Sequence, residues 1–191
     1  MTSSTESGSE SGPVGLVGVG RMGRCLLEYL RNSGREVVAY DPMPQAWPAI
    51  EAAGARRAAD PGELARAVRL IVMSLPASRN VAEAVEALAA AIRPGQVVVD
   101  TSTVDPGTAR AAAALLGEKG AGFVDAPVLG RPNTVGRWTL PAGGAAGDVE
   151  FARPTLEIFA KHVIHVGGTG TGYAFKLLNQ LMFSVIKGIS S

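Results

Sequence analysis

Three side chains near the carboxyl end of this chain have the types and spacing to handle a proton and hold a small polar molecule. In the stretch GGTGTGYAFKLLNQ, residues 167–180, helical spacing sets Lys176, Asn179 and Gln180 on one face. A lysine whose pKa is lowered by partial burial works as a general acid or base near neutral pH. An amide one turn further on orients that amine or binds the molecule it acts on. Gly168, Gly170 and Gly172 let the backbone turn into the helix. Taken alone, Lys176 is more simply an exposed helix lysine, so the rest of the chain must supply its context.

A second group lies near the amino end. VGLVGVGRMG carries Gly18, Gly20 and Gly23 in G-x-G-x-x-G spacing. Gly18 permits a tight turn out of a strand, Gly20 lets the backbone approach a pyrophosphate, and Gly23 lets the following helix pack closely. The helix start, Gly18 to Gly23 with Val19, Arg21 and Met22 between, offers free N–H groups and a positive dipole end to phosphates. With 24 glycines in the chain the spacing alone is weak. A strand before, a helix after and an acidic residue ending the next strand make it specific. That residue, Asp41, stands close to the ~20-residue separation of a carboxylate that accepts from ribose hydroxyls. A carboxylate there repels a 2′-phosphate, so NAD is expected over NADP.

Further polar segments follow other strands. SLPASRN (74–80) and DTSTVDP (100–106) suit either the lining of a nucleotide pocket or plain capped turns. VDAPVLGRP (124–132) is a shaped loop in which Arg131 either grips a carboxylate bidentately or is a solvated loop arginine.

The elements that must position these residues alternate. Short apolar runs (PVGLVGV, REVVAYD, RLIVMSLP, VVVDTST, AGFVDAPV and VIHVG, with RWTLPAGG a further candidate) are strand-like. Between them lie helix-like stretches. DPGELARAV and DPGTARAAAALLGEKG each begin with an Asp cap and a first-turn Pro. Pro48 interrupts one short helix, and Pro154 is tolerable only in a first turn or as a kink. Such alternation predicts an α/β fold, a doubly wound, mostly parallel sheet with helices on both faces.

Bulk composition excludes several classes. The 191 residues are 47% hydrophobic and 18% charged with a formal net charge of +1, so no basic surface for nucleic acid is expected. Aromatics at 5% supply no stacking platform for single strands. One cysteine, Cys25, read as a small core residue, and two histidines, His162 and His165, read as strand-edge residues, are too few for a metal site. Residues 1–12 are Ser, Glu and Gly with almost nothing apolar, predicting a disordered tail. They lack the pattern of a signal peptide, and no run reaches the ~18 apolar residues of a membrane span, so a soluble, cytoplasmic protein is expected.

Taken in order, GLVGVGRMG, SLPASRN, DTSTVDP, VDAPVLGRP and GGTGTGYAFKLLNQ resemble the β-hydroxyacid dehydrogenase family, over residues 13–191. The resemblance implies a Rossmann-type NAD-binding domain at 13–167 and the start of an interdomain helix at 168–191. It implies that Gly18, Val19, Gly20, Arg21, Met22 and Gly23 hold the pyrophosphate and Asp41 the adenosine ribose. Leu75, Pro76 and Asn80 would line the cofactor cleft, with Thr103 near the nicotinamide. Lys176 would be catalytic, giving a proton to a carbonyl oxygen as hydride arrives, or taking it in reverse. Leu129, Gly130, Arg131, Asn179 and Gln180 would meet a small carboxylate substrate. Two departures alter that substrate end: the family's usual D-x-P-V-S-G-G is here DAPVLGR, and a second Asn after the lysine is here Gln180. The family also carries an all-helical C-terminal domain, and the resemblance implies that the sequence from 168 to 191 is only the approach to it. The terminal apolar residues here, Leu177, Leu178, Leu181, Phe183, Val185 and Ile186, therefore need a cover, either the remainder of a longer protein or a second copy. Two other readings stand beside the enzyme: a non-catalytic NAD(P)-binding module, and an imine-reductase-like enzyme, a class that commonly lacks this lysine.

Overall fold

The computed structural model describes residues 12–189, with side chains to Val185. The tail expected at 1–12 therefore lies, but for Gly12, outside the described residues, as does the side chain of Ile186. In order, the elements are β1 (Val14–Val17), α1 (Arg21–Asn32), β2 (Val37–Tyr40), α2 (Trp47–Ala52), β3 (Arg56–Arg57), α3 (Pro61–Ala67), β4 (Leu70–Met73) and α4 (Ser78–Ala89). Then come β5 (Val97–Asp100), α5 (Pro106–Gly117), β6 (Gly122–Asp125), β7 (Trp138–Gly143), α6 (Ala146–Leu156), β8 (Ala160–Gly167) and α7 (Thr171–Ile189).

One eight-stranded sheet runs in the order β3-β2-β1-β4-β5-β6-β7-β8. The first six are parallel, and β7 is antiparallel to β6 with β8 parallel to β7. Strands VGLV, LIVM and VVVD are buried throughout because helices cover both faces. Side chains alternate across the sheet. Leu16, Val72, Val99 and Val124 pack with Leu26 and Leu30 of α1 and Val149 and Leu156 of α6. Val17, Ile71, Val98 and Phe123 pack with Leu64 of α3, Val85 of α4 and Leu116 of α5. The mostly parallel, doubly wound sheet is thus as the alternation predicted.

Local details depart from expectation. Pro48 does not interrupt a helix. A 3-10 turn at Pro44–Ala46 precedes α2, and Pro48 sits in the first turn of α2, where no N–H is needed. Pro154 is neither in a first turn nor placed at mid-helix. It lies in the last turn of α6, exposed, two residues before the helix ends at Leu156. Cys25 is not a core residue but half-buried, its Sγ 3.4 Å from the Arg21 carbonyl and 3.9 Å from that of Pro132. Both histidines lie on β8, the outer strand, as expected of strand-edge residues. The two-residue strand β3 was not anticipated, since Arg56 and Arg57 are exposed and polar.

Candidate nucleotide and proton-transfer site

The first rim of the site is made of backbone. Gly18 follows β1 with φ +91°, and a Cβ there would strike the Ser74 carbonyl at the end of β4. Gly23 faces the Gly18 carbonyl so closely that only hydrogen fits. Gly20 is exposed, with nothing within 4 Å of where a Cβ would stand. Here α1 begins, its first intrahelical bond running from Arg24 N–H to the Gly20 carbonyl. The N–H groups of Arg21, Met22 and Gly23 precede that bond, so the helix presents free donors and its positive end at the loop. Asp41, at the end of β2, accepts from Val19 N–H at 2.7 Å and from Met43 N–H at 2.9 Å. The carboxylate expected to meet a ribose is found tying the glycine loop to β2, with each oxygen accepting one backbone N–H.

Leu75 and Pro76 follow β4, Asn80 is in the first turn of α4, and Thr103 is exposed after β5. They share the carboxyl rim of the sheet with Gly18 and Asp41. Asp105 caps α5 and joins its start to that of α4, accepting from Thr108 N–H and Oγ1 and from Ser78 Oγ. These bonds, the Thr108 hydroxyl first, hold its carboxyl low, at about 2.

Side chains make the second rim. Leu129, Gly130, Arg131, Lys176, Asn179 and Gln180 line one open cleft of about 990 Å³, together with Phe183 and Ser184. The five residues expected at the substrate thus come together with Lys176. Lys176 is half-buried, its Nζ donates to the Val128 carbonyl at 2.7 Å, and burial lowers its pKa from the ordinary lysine value. The Arg131 backbone is pinned, its N–H donating to Thr134 Oγ1 at 3.0 Å and its carbonyl accepting from Trp138 Nε1 at 2.8 Å. Its side chain is exposed and in no ion pair among the described residues. Gly130 lies against the Trp138 ring, where a Cβ would collide. Tyr29 of α1 donates to the Val135 carbonyl at 3.1 Å, so the helix of the glycine loop also steadies the Arg131 loop.

The sequence reading took Phe183 only as an apolar residue needing a cover and missed Ser184, both one further turn along α7 at the cleft, and it missed a buried polar cluster near Lys176. Asp100 and Asp125 end β5 and β6 with no exposed surface. Burial raises Asp100 to about 6, with Asp125 adding to the rise and hydrogen bonds from Ser102 and Tyr173 opposing it. Burial also raises Asp125, against hydrogen bonds from Gly170 and Tyr173 N–H. Tyr173 is fully buried and donates its hydroxyl to Asp100. Burial, then the Asp100 charge, pushes the phenol far upward. One sign of the cluster was legible: each carboxylate closes an otherwise apolar strand.

A nucleotide-binding sheet with a glycine loop at its switch point defines the class, and comparison with known proteins agrees. Residues 13–167 match the family described as the NAD binding domain of 6-phosphogluconate dehydrogenase, and the chain belongs to that family. Mitochondrial 3-hydroxyisobutyrate dehydrogenase of Mus musculus is 30% identical over 178 residues, covering 91% of this chain and 53% of that protein. A solved Mycobacterium tuberculosis 3-hydroxyisobutyrate dehydrogenase with L-serine superposes with a TM-score of 0.88 at 29% identity, over 91% of this chain and 60% of the other. Psf3 in complex with NADP+ and 2-OPP superposes with a TM-score of 0.85 at 28% identity, over 93% and 68%. The chain spans about half the length of the curated relatives it matches. It is thus related to dehydrogenases over its NAD(P)-binding part.

Proposed function

We propose that this chain carries the cofactor-binding part and the proton-transfer lysine of an NAD-dependent oxidoreductase acting on a small 3-hydroxy acid or the matching semialdehyde or oxo acid. The observation that carries the reading is the single cleft joining half-buried Lys176 to Arg131, Asn179 and Gln180. The residues at the loop fit a dinucleotide: Gly20 leaves open space, and the α1 N–H groups face it. Gly18 to Gly23 would hold the pyrophosphate and Asp41 the adenosine ribose. Leu75, Pro76, Asn80 and Thr103 would line the way to the nicotinamide. A bound nicotinamide supplies or takes the hydride. Lys176 Nζ gives a proton to the substrate oxygen in reduction and takes it in oxidation, and the burial that lowers its pKa eases release of that proton. Arg131 grips the substrate carboxylate with two parallel N–H···O bonds, and the Asn179 and Gln180 amides orient the hydroxyl end. The Asp41 carboxylate favours NAD over NADP by repelling a 2′-phosphate.

The test is NADH oxidation against a panel of small oxo acids and semialdehydes, with NADH binding titrated in parallel. Lys176→Ala is expected to lower turnover by about 10³-fold while leaving cofactor affinity unchanged. Undiminished turnover in Lys176→Ala sinks the assignment. Cofactor binding with no turnover by any form of the chain favours a cofactor-binding module instead.

A further inference from the structure

The buried cluster beneath Lys176 has a geometry that packing alone does not require. Asp125 Oδ1 accepts from Gly170 N–H at 2.7 Å and Oδ2 from Tyr173 N–H at 2.9 Å. Gly170 precedes α7 and Tyr173 is its third residue, so a carboxylate from β6 does for α7 what an N-cap side chain does from within a helix. The approach is close enough that a Cβ at Gly172 would strike the carbonyls of Asp125 and Pro141. The Tyr173 hydroxyl reaches Asp100 on the next strand. The other Asp100 oxygen accepts from Ser102 N–H at 3.0 Å and Ser102 Oγ at 2.5 Å. Ser102 Oγ in turn accepts from Leu75 N–H at 2.8 Å.

Two anchors on one helix constrain it twice. The Asp125 bonds set how far α7 stands along its axis, and the Tyr173 hydroxyl sets its rotation. Lys176 lies three residues beyond Tyr173, on the same face. The Val128 carbonyl that receives its Nζ belongs to the segment continuing from Asp125. Buried carboxylates are a costly way to hold a helix that apolar side chains could hold as well. What they add is direction.

We propose that Tyr173, Asp100 and Asp125 are positioning residues for Lys176, fixing the height and rotation of α7 so that the amine is held at the Val128 carbonyl, with Ser102 carrying the same lock to Leu75 beside the glycine loop. This rests on Lys176 being the proton-transfer group and deepens that assignment.

The test reads the amine directly. Lysine labelled with ¹³C at Cε is titrated by NMR, with Lys176→Arg assigning the signal. In the unsubstituted chain Lys176 titrates below an ordinary lysine, and the Gly170 and Tyr173 amides exchange more slowly than those further along α7. Tyr173→Phe keeps the ring in the core and removes only the hydroxyl. It is expected to raise the Lys176 midpoint towards the ordinary lysine value. Asp125→Asn, which loses one of two acceptors, moves it the same way and speeds exchange at Gly170 and Tyr173. A merely structural role would lower the melting temperature and leave the Lys176 signal in place. That outcome in a folded variant of either kind overturns the proposal, as does rapid exchange of the Gly170 and Tyr173 amides in the unsubstituted chain should neither variant fold. Turnover that survives Lys176→Ala overturns the proton-transfer assignment instead, whatever the signal does.

Discussion

The glycine loop and the lysine site lie on one rim of one sheet, yet they are built by opposite means. The loop is backbone and open space: Gly18 at φ +91°, Gly20 with no neighbour, and helix N–H groups facing outward. The lysine site is side chain on buried charge, with Asp100 and Asp125 fully enclosed. The loop gains its open approach by having atoms removed. The lysine gains its altered acidity by partial burial. The difference teaches that substitutions should act on the loop through shape and on the lysine site through protons.

Three measurements break or sharpen that contrast. The largest effect is expected of Gly18→Ala, which meets both a positive φ and the Ser74 carbonyl. It should cost about 4 kcal/mol of unfolding free energy in urea, strain and overpacking together. A loss below about 1 kcal/mol would show that the loop relaxes more freely than its contacts imply.

Next is a pH effect confined to the lysine site. The Asp100 carboxyl is raised in the fold from 3.8 to about 6, so the folded state binds its proton more tightly than the unfolded chain. Its contribution to stability is full below the unfolded pKa and is lost as pH rises through the folded one. Between about pH 3.5 and pH 7 that swing amounts to about 3 kcal/mol. Asp100→Asn removes the titration, so the stability difference between the two chains should fall with rising pH by that amount. A difference that stays flat would show Asp100 to be ordinarily acidic.

The smallest effect separates shape from stability within the loop. Gly20→Ala places its methyl in open space, so stability should change by under ~0.5 kcal/mol. The methyl would nevertheless stand where a pyrophosphate approaches, weakening NADH about tenfold by titration. Unchanged affinity would show that the phosphates do not lie over Gly20.

These two constructions also differ in how far the sequence disclosed them. Gly18, Gly20 and Gly23 were legible because the reason for each glycine is local: a turn, an open approach, a helix start. The alternation of apolar runs with capped helices disclosed the sheet for the same reason. Lys176, Asn179 and Gln180 were legible as a helix face, and the cleft that joins them to Arg131 follows that face. Beyond its two strand-end carboxylates the cluster beneath was not legible, because Tyr173 meets Asp100 across 73 residues and Asp125 meets Gly170 across 45. No spacing rule reaches that far. Asp41 was legible as a strand-end carboxylate, but its bonds to Val19 and Met43 N–H depend on how the loop closes over β2. Pro48 and Pro154 misled because a proline in the sequence does not say which turn of a helix it occupies.

The antiparallel return of β7 and β8 carries one more consequence, in the order of assembly. Gly143 at the end of β7 is level both with Asp125 on β6 and with Gly167 at the end of β8, so the chain is handed back at the rim where α7 begins. The glycine loop is complete once β1, β2 and β4 have paired. The Lys176 site is expected to follow, because α7 comes after the last two strands and the longest bond there, Tyr173 to Asp100, closes more chain than the Ser74 to Val17 bond of the loop. During refolding the Gly18 and Ser74 amides should gain protection from exchange before those of Gly170 and Tyr173. The reverse order in a pulse-labelling experiment would mean that α7 docks before the sheet is finished. In that order the chain would complete its glycine loop first and the cleft around Lys176 last.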